Sequence, residues 1–227
     1  MTETDKNSAD IFATDPELRM CFQWIHAKKY NEAQQKLEDK IKIAQSQNDK
    51  DAEGVLLSIL GMLFKVKREI KTAYKYYQQA EKCLPDDMSL KMINAKLLVD
   101  EFHQYDTALR KIDKILQATT DDPVMQHHAM ALKALAYFQM GKKPQAKTLF
   151  SEIIAQDFTK LRSAVNVDYK TCEAFLTKEF EVKLCLEYLQ RCMDLAVLLK
   201  EKQMIQVLTQ LKVVFSKPKE SKPESGL

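Results

Sequence analysis

The chain has 227 residues, of which 45% are hydrophobic and 30% are charged, enough for one sizeable core or one continuous array of repeats. It contains only 4 glycines and 6 prolines, and residues that favour helices dominate it, so the composition predicts an all-α protein. The formal net charge of +3 argues against a nucleic-acid-binding protein, because clustered Lys and Arg are the usual footprint of that class.

The N-terminal residues and the cysteines indicate a cytoplasmic protein. Residues 1–10 are polar and lack the apolar core of a signal peptide. No apolar run approaches the ~18 residues that a membrane span needs. The cysteines are odd in number and form no CxxC motif, which favours reduced thiols over a disulfide framework or a zinc site: Cys21, Cys83, Cys172, Cys185 and Cys192.

The first predicted helix pair follows a polar segment, residues 1–14, which we expect to be flexible. Asp15 suits an N-cap and Pro16 suits the first helical position. Trp24 lies on the packing face of this first helix, and a polar turn follows. The second helix then carries Ala33 and Leu37, which a 3.6-residue period places on one face.

The clearest helix pair spans residues 54–87. Its first helix carries four apolar or small residues at helical spacing, and its second carries three: Leu57, Leu60, Gly61 and Phe64, then Ala73, Tyr77 and Ala80. The small residues sit where two helix backbones would otherwise collide. Such a pair cannot bury its apolar stripes alone, so the pattern predicts that further copies stack against it.

A small alanine recurs in each predicted pair, at Ala33, Ala73, Ala108 and Ala146, with intervals of 40, 35 and 38 residues. The period near 34, the helix–turn–helix pattern and the residue types resemble the tetratricopeptide repeat (TPR) family over residues 15–160. Cys21 and Lys96 depart from the family pattern, because Gly or Ala is usual at their position.

The resemblance implies an all-α fold, a TPR-type right-handed superhelix of stacked antiparallel helix pairs with C-terminal capping helices. We place the four pairs at about 15–50, 54–87, 89–122 and 127–160. Residues 163–215 are interpreted as a divergent helical pair plus a capping helix, and residues 216–227 as a disordered tail, since Pro, Ser, Lys and Glu dominate them.

No constellation in the sequence predicts catalysis. The histidines are not spaced as metal ligands, and they are expected to have surface or core roles: His26, His103, His127 and His128. Phosphate-binding and hydrolase motifs are absent from the sequence. The acidic pairs at residues 86–87 and 121–122 are predicted to cap the helices that follow them. We therefore expect a protein that is not an enzyme, without cofactor or metal.

In TPR arrays the first helix of each pair lines a concave groove, and the resemblance places eight apolar residues there. These candidate partner-binding residues are Leu18, Phe22, Ile25, Met62, Ile93, Leu97, Leu135 and Phe138. Soluble proteins rarely leave such a patch uncovered. A partner's apolar or amphipathic segment, the chain's own last helix at 203–215, or a second copy in a homodimer would cover it. Alternatively, neighbouring repeats bury these residues without any ligand.

The leading hypothesis is a non-catalytic protein–protein interaction module, adaptor or chaperone-like, which holds an apolar or amphipathic segment in its groove. The alternative is a self-associating structural scaffold, and a third possibility is similarity to the small TPR chaperones of bacterial secretion systems. The groove positions lack the Lys and Arg of the carboxylate clamp with which some TPR proteins hold Hsp70 or Hsp90. We expect no binding of that kind, no nucleic acid and no membrane span.

Overall fold

The computed structural model describes residues 15–161 and 182–216. Within them, all regular structure is helical, which confirms the predicted all-α class. The predicted flexible N-terminus, residues 162–181 of the predicted divergent pair and residues 217–227 of the predicted tail lie outside the described residues. The last predicted helix is present, extended by one residue at each end.

The described part of the chain forms ten α-helices and one short 3₁₀ turn, which we number in chain order. They are α1 Pro16–His26, α2 Tyr30–Ser46, α3 Lys50–Val66, α4 Ile70–Cys83, α5 Met88–Asp100, α6 Tyr105–Ala118, α7 Pro123–Gln139, α8 Lys143–Ile154, the 3₁₀ turn Phe158–Lys160, α9 Val182–Leu198 and α10 Lys202–Ser216.

The helices fall into two compact units, Met1–His103 and Gln104–Leu227, here called unit 1 and unit 2. In unit 1, each of α1 to α4 packs against the next helix in the chain. In unit 2, α7 packs against both α6 and α8, while α9 packs against α8, the 3₁₀ turn and α10. Short turns join the packed pairs α1–α2, α3–α4, α7–α8 and α9–α10, so the two helices of each of these pairs run antiparallel. The third predicted pair, α5 and α6, is divided between the two units.

An aspartate caps the first helix of each of the four predicted repeats. The Asp15, Asp49, Asp87 and Asp122 carboxylates accept backbone N–H groups at the starts of α1, α3, α5 and α7. Such caps satisfy N–H donors that have no partner within the helix. As a result α3 and α7 begin at Lys50 and Pro123, several residues earlier than the hydrophobic spacing alone indicates.

The core of unit 1 is built from the inward stripes of α1 to α5. Its members are fully or nearly buried and include Leu18, Leu37, Leu60, Leu63, Ala73, Ala80 and Leu97. Around them lies a layer of half-buried apolar and aromatic residues that contact the same core. The side chains of this outer layer keep part of their surface accessible.

In unit 2, a buried histidine of α7, His127, contacts α9, the first helix of the last pair. The His127 Nδ1 atom lies 2.6 Å from Gln156 Oε1, and its Nε2 atom lies 3.2 Å from the Tyr188 hydroxyl of α9. The imidazole stacks on the Tyr188 ring and meets Phe158 edge-on. His127 therefore has a core role in α7 that connects α7 to α9.

Candidate protein-binding surface

A left-handed turn residue gives every helix pair the same reference point. Five pairs have one residue with positive φ in the short turn between their two helices: Lys28, Arg68, His103, Gly141 and Lys200. The residue six positions earlier is Phe22, Met62, Leu97 or Leu135 in the first four of them. Half of the predicted groove residues thus share one register, despite the loop insertions in the sequence.

The structure buries five of the eight predicted groove residues. Their exposed fractions are Leu18 1%, Ile25 7%, Leu97 3%, Leu135 6% and Phe138 6%. Phe22, Met62 and Ile93 are only half-buried. The buried five contribute chiefly to packing, while the half-buried three retain surface that another molecule could contact. All three belong to unit 1, whereas Leu135 and Phe138 belong to unit 2.

Phe22, Met62 and Ile93 come from α1, α3 and α5, the first helices of the three predicted pairs that begin in unit 1. All three pack against the same core. Val55, which is also half-buried against that core, lies seven residues before Met62 and hence on the same side of α3. We call these four residues, Phe22, Val55, Met62 and Ile93, the first-helix face.

A cavity of about 440 Å³ opens where the start of α1, the end of α2 and the start of α3 meet. We call it the end cavity. Leu18 and Val55 line it, which connects it to the first-helix face, because Phe22 lies one helical turn beyond Leu18. The sequence analysis missed the contribution of α2. Ile43, an isoleucine outside the buried stripe of α2, is 56% exposed at this cavity.

Charged groups surround the end cavity. Asp15 accepts the backbone N–H groups of Glu17 and Leu18 and a hydrogen bond from Lys40 Nζ at 2.7 Å. Burial by itself would raise the pKa of the Asp15 carboxyl, but these hydrogen bonds and the lysine charge together lower that pKa below its ordinary value. Asp49 accepts the N–H of Ala52, and Asp51 is exposed.

Two other classes of site were sought in the described residues. Among residues 15–161 and 182–216, His, Cys, Asp and Glu side chains form no group of three or more that could hold a metal ion. Over the same ranges, no helix combines the length and the apolar character required to cross a membrane.

Comparisons with known proteins support the fold. No family model matches the chain, and no curated protein matches it. Among solved structures, PilW, described as a widely conserved type IV pilus biogenesis factor, is 13% identical with a TM-score of 0.49, and the match covers 88% of this chain and 93% of that one. PilF of Pseudomonas aeruginosa is 15% identical with a TM-score of 0.55, over 95% and 96%. The likeness to PilF supports a TPR-like all-α fold for this chain.

Proposed function

We propose that the chain is a non-catalytic protein–protein interaction module of the TPR type that binds an apolar or amphipathic segment of a partner on the first-helix face of unit 1. The observation that carries the proposal is the set of three large apolar side chains, Phe22, Met62 and Ile93. They sit on successive first helices, rest on one core and remain half-buried.

The chemistry of this face suits a partner segment with an apolar stripe. An amphipathic helix lays such a stripe into a groove through residues spaced three, four and seven apart. Phe22 and Met62 each lie six residues before the left-handed residue of their turn, so they offer two anchors at equivalent positions on α1 and α3. Apolar and aromatic anchors of this kind carry most of the binding free energy in many interfaces.

The proposal is tested with a display library of random peptides about 16 residues long, enough for four helical turns. We expect the enriched peptides to carry apolar residues at helical spacing. Phe22→Glu and Met62→Glu should each weaken their binding by at least about tenfold, or ~1.4 kcal/mol. Gln79→Glu, which changes the charge equally on an exposed position of α4, is the matched control.

Circular dichroism of the three variants checks that helicity is retained. Peptides without an apolar pattern would contradict the proposal, and so would equal affinities for the wild type and both face variants. Loss of helicity in Phe22→Glu and Met62→Glu would instead favour a packing role for these side chains, in which neighbouring helices and not a partner need the apolar surface.

A second candidate function, a self-associating scaffold, is favoured by α10. Met204 and Leu208 are its buried residues, and α10 packs against α9. The exposed side of α10 carries Val207, Val213 and Val214 and bears no charged residue between Lys202 and Lys212. Protein interfaces are depleted in charged residues at their centres, so this side suits contact with a second copy.

Light scattering coupled to size exclusion separates the two candidates. The scaffold requires a mass well above the 26.3 kDa of one chain, and Val214→Glu should return that mass to the monomer. A monomer at tens of micromolar would eliminate the scaffold and leave the interaction module.

A chaperone-like or adaptor role, in a cytoplasmic setting, forms part of the first proposal. The free thiols of Cys21 and Cys83 are in keeping with a reducing compartment.

A further inference from the structure

The end cavity is large enough to admit an apolar side chain, and part of its lining is apolar. Its volume of about 440 Å³ lies within the ~300–1,000 Å³ typical of small-ligand sites. Leu18, Ala44 and Leu56 form buried parts of its wall, and half-buried Val55 connects it to the first-helix face. Exposed Ile43 adds apolar surface. An apolar side chain that entered would therefore meet apolar atoms from three helices.

The charged lining of this cavity is predominantly acidic. Asp15, Asp49 and Asp51 line it, against one lysine, Lys40. The Lys40 ammonium already contacts Asp15 at 2.7 Å and the Glu17 carboxylate at 3.0 Å. The charge of Lys40 is therefore balanced by Asp15 and Glu17, and Lys40 forms no ion pair with Asp49 or Asp51 among the described residues.

The nearest alternative cation in the chain is also engaged. Lys50, which lies between Asp49 and Asp51 in the sequence, contacts Glu53 at 2.7 Å. Two carboxylates at the start of α3 thus lack an ion-pair partner among the described residues. An apolar recess with surplus negative charge attracts cationic segments and repels anionic ones.

We propose that the end cavity receives an apolar side chain of leucine or phenylalanine size from a partner segment in which lysine or arginine flanks that residue. This inference rests on the proposed function and names the chemistry of the partner. Leu18 and Phe22 lie four residues apart on α1, and Val55 and Met62 lie seven apart on α3, so one segment could occupy the cavity and the first-helix face together.

The chain's own N-terminal segment is the competing occupant. Ile11 and Phe12 precede Asp15 by only a few residues, and an extended chain of three residues reaches about 10 Å. However, the sequence of this segment places an acidic residue, Asp10, directly before Ile11. Charge complementarity therefore favours a basic partner segment over this acidic one.

The test uses the full chain and defined peptides of about 16 residues. One peptide has an amphipathic apolar stripe with a central leucine flanked by lysines. A second replaces the lysines by glutamates, and a third replaces the leucine by alanine. We expect the lysine peptide to bind about tenfold or more tighter than either of the others, with the charge-dependent part of this difference shrinking between about 0.05 M and about 0.5 M salt.

Two variants locate the binding on the chain. Asp51→Lys should weaken the lysine peptide and strengthen the glutamate peptide, because it reverses the charge at an exposed position of the cavity. Asp121→Lys, the same change at an exposed turn of unit 2, should leave both affinities unchanged. Ala52→Phe should block the cavity without altering charge and thereby remove the preference for leucine over alanine.

Each other outcome overturns the inference. Equal affinity for the lysine and glutamate peptides would overturn it. If Met62→Glu still abolished the binding of both peptides in that case, the proposed function would stand and only the inference about the end cavity would fail. Failure of every peptide to respond to Met62→Glu would reject the proposed function itself. Tighter binding of the lysine peptide to Phe12→Ala than to the wild type would identify the N-terminal segment as the occupant, against our assignment to a partner.

Discussion

Gly61 of α3 lies against the ring of Tyr77 of α4, so closely that a Cβ atom added at Gly61 would be 3.0 Å from the Tyr77 Cδ1 atom. Tyr77 is buried, and burial raises the pKa of its hydroxyl to about 12. The ring has little room to move because it belongs to the core of unit 1. This contact sets the separation of the two helices.

Gly61→Val should therefore lower the free energy of unfolding by about 1–3 kcal/mol, since overpacking a filled core forces neighbours to move. The measurement is urea denaturation followed by circular dichroism. Ser58→Val, one turn earlier on α3 at a half-buried position, introduces the same β-branched side chain as a control. Since Val is a better helix former than Gly, an unchanged or raised midpoint for Gly61→Val would show that the Tyr77 ring does not limit the space at Gly61.

The helical class could be predicted from the sequence because the apolar spacing is regular. The predicted small alanines Ala33, Ala73, Ala108 and Ala146 are all fully buried, and each stands five residues after the left-handed residue of its turn. The aspartate caps at Asp87 and Asp122 were also predictable, because an acidic residue precedes each apolar stripe. The start of α3 was less so, since its first turn carries few apolar residues.

The candidate surface was only partly predictable. Spacing along a helix identifies which side a residue occupies, but it does not say how deeply the next helix covers it. Leu97 shares its register with Phe22 and Met62, yet it is buried while they are half-buried. The end cavity depends on residues of α2 such as Lys40 and Ile43, which lie outside the buried apolar stripe of that helix. Contacts with neighbouring helices, and not the periodicity of the sequence, determine the burial of Leu97 and the lining of the end cavity.

Gly141→Ala should lower the free energy of unfolding by about 1–2 kcal/mol. Gly141 has a φ of +78° in the turn between α7 and α8, a conformation that L-residues with a Cβ adopt at that cost. Apart from its chain neighbours, no described residue has an atom within 4 Å of an added Cβ, so the cost is one of backbone conformation alone. Gly141→Asn should lose less, because Asn tolerates this region better. Thermal unfolding in which Ala and Asn behave alike would contradict this explanation.

Asp15 should contribute stability that depends on acid pH. Its lowered pKa means that the folded state favours the carboxylate, so this stability is present above the ordinary pKa near 4 and is lost as the pH falls through the lowered value. Asp15→Asn keeps a side chain able to cap α1 but removes this titration. Urea midpoints between neutral and acid pH should therefore fall less steeply for the variant. Parallel pH profiles would show that Lys40 and the helix start do not stabilise the charged form.

Lys40→Met examines the same ion pair from the other side. Desolvation acts to lower the pKa of the Lys40 ammonium, but the hydrogen bonds and charges of Asp15 and Glu17 raise it above its ordinary value. The stabilisation from the charged lysine is thus complete below its ordinary pKa and disappears only in strong alkali. The variant should lose stability near neutral pH, and its urea midpoint should fall less steeply between neutral and acid pH. If the urea midpoint of the variant fell with acid pH as steeply as that of the wild type, the backbone N–H groups alone would account for the lowered pKa of Asp15.

Tyr188→Phe should loosen α9 while leaving the ring contacts with His127 and Phe150 in place. The change removes the hydroxyl that lies 3.2 Å from His127 Nε2 in a buried setting, and a buried hydrogen bond contributes about 0.5–1.5 kcal/mol. Hydrogen exchange should therefore accelerate in α9 more than in α3 of unit 1. Tyr137→Phe, which removes a hydroxyl from a half-buried position of α7, is the control. If both variants left exchange in α9 unchanged, the stacked rings and not the hydrogen bond to His127 would hold this helix.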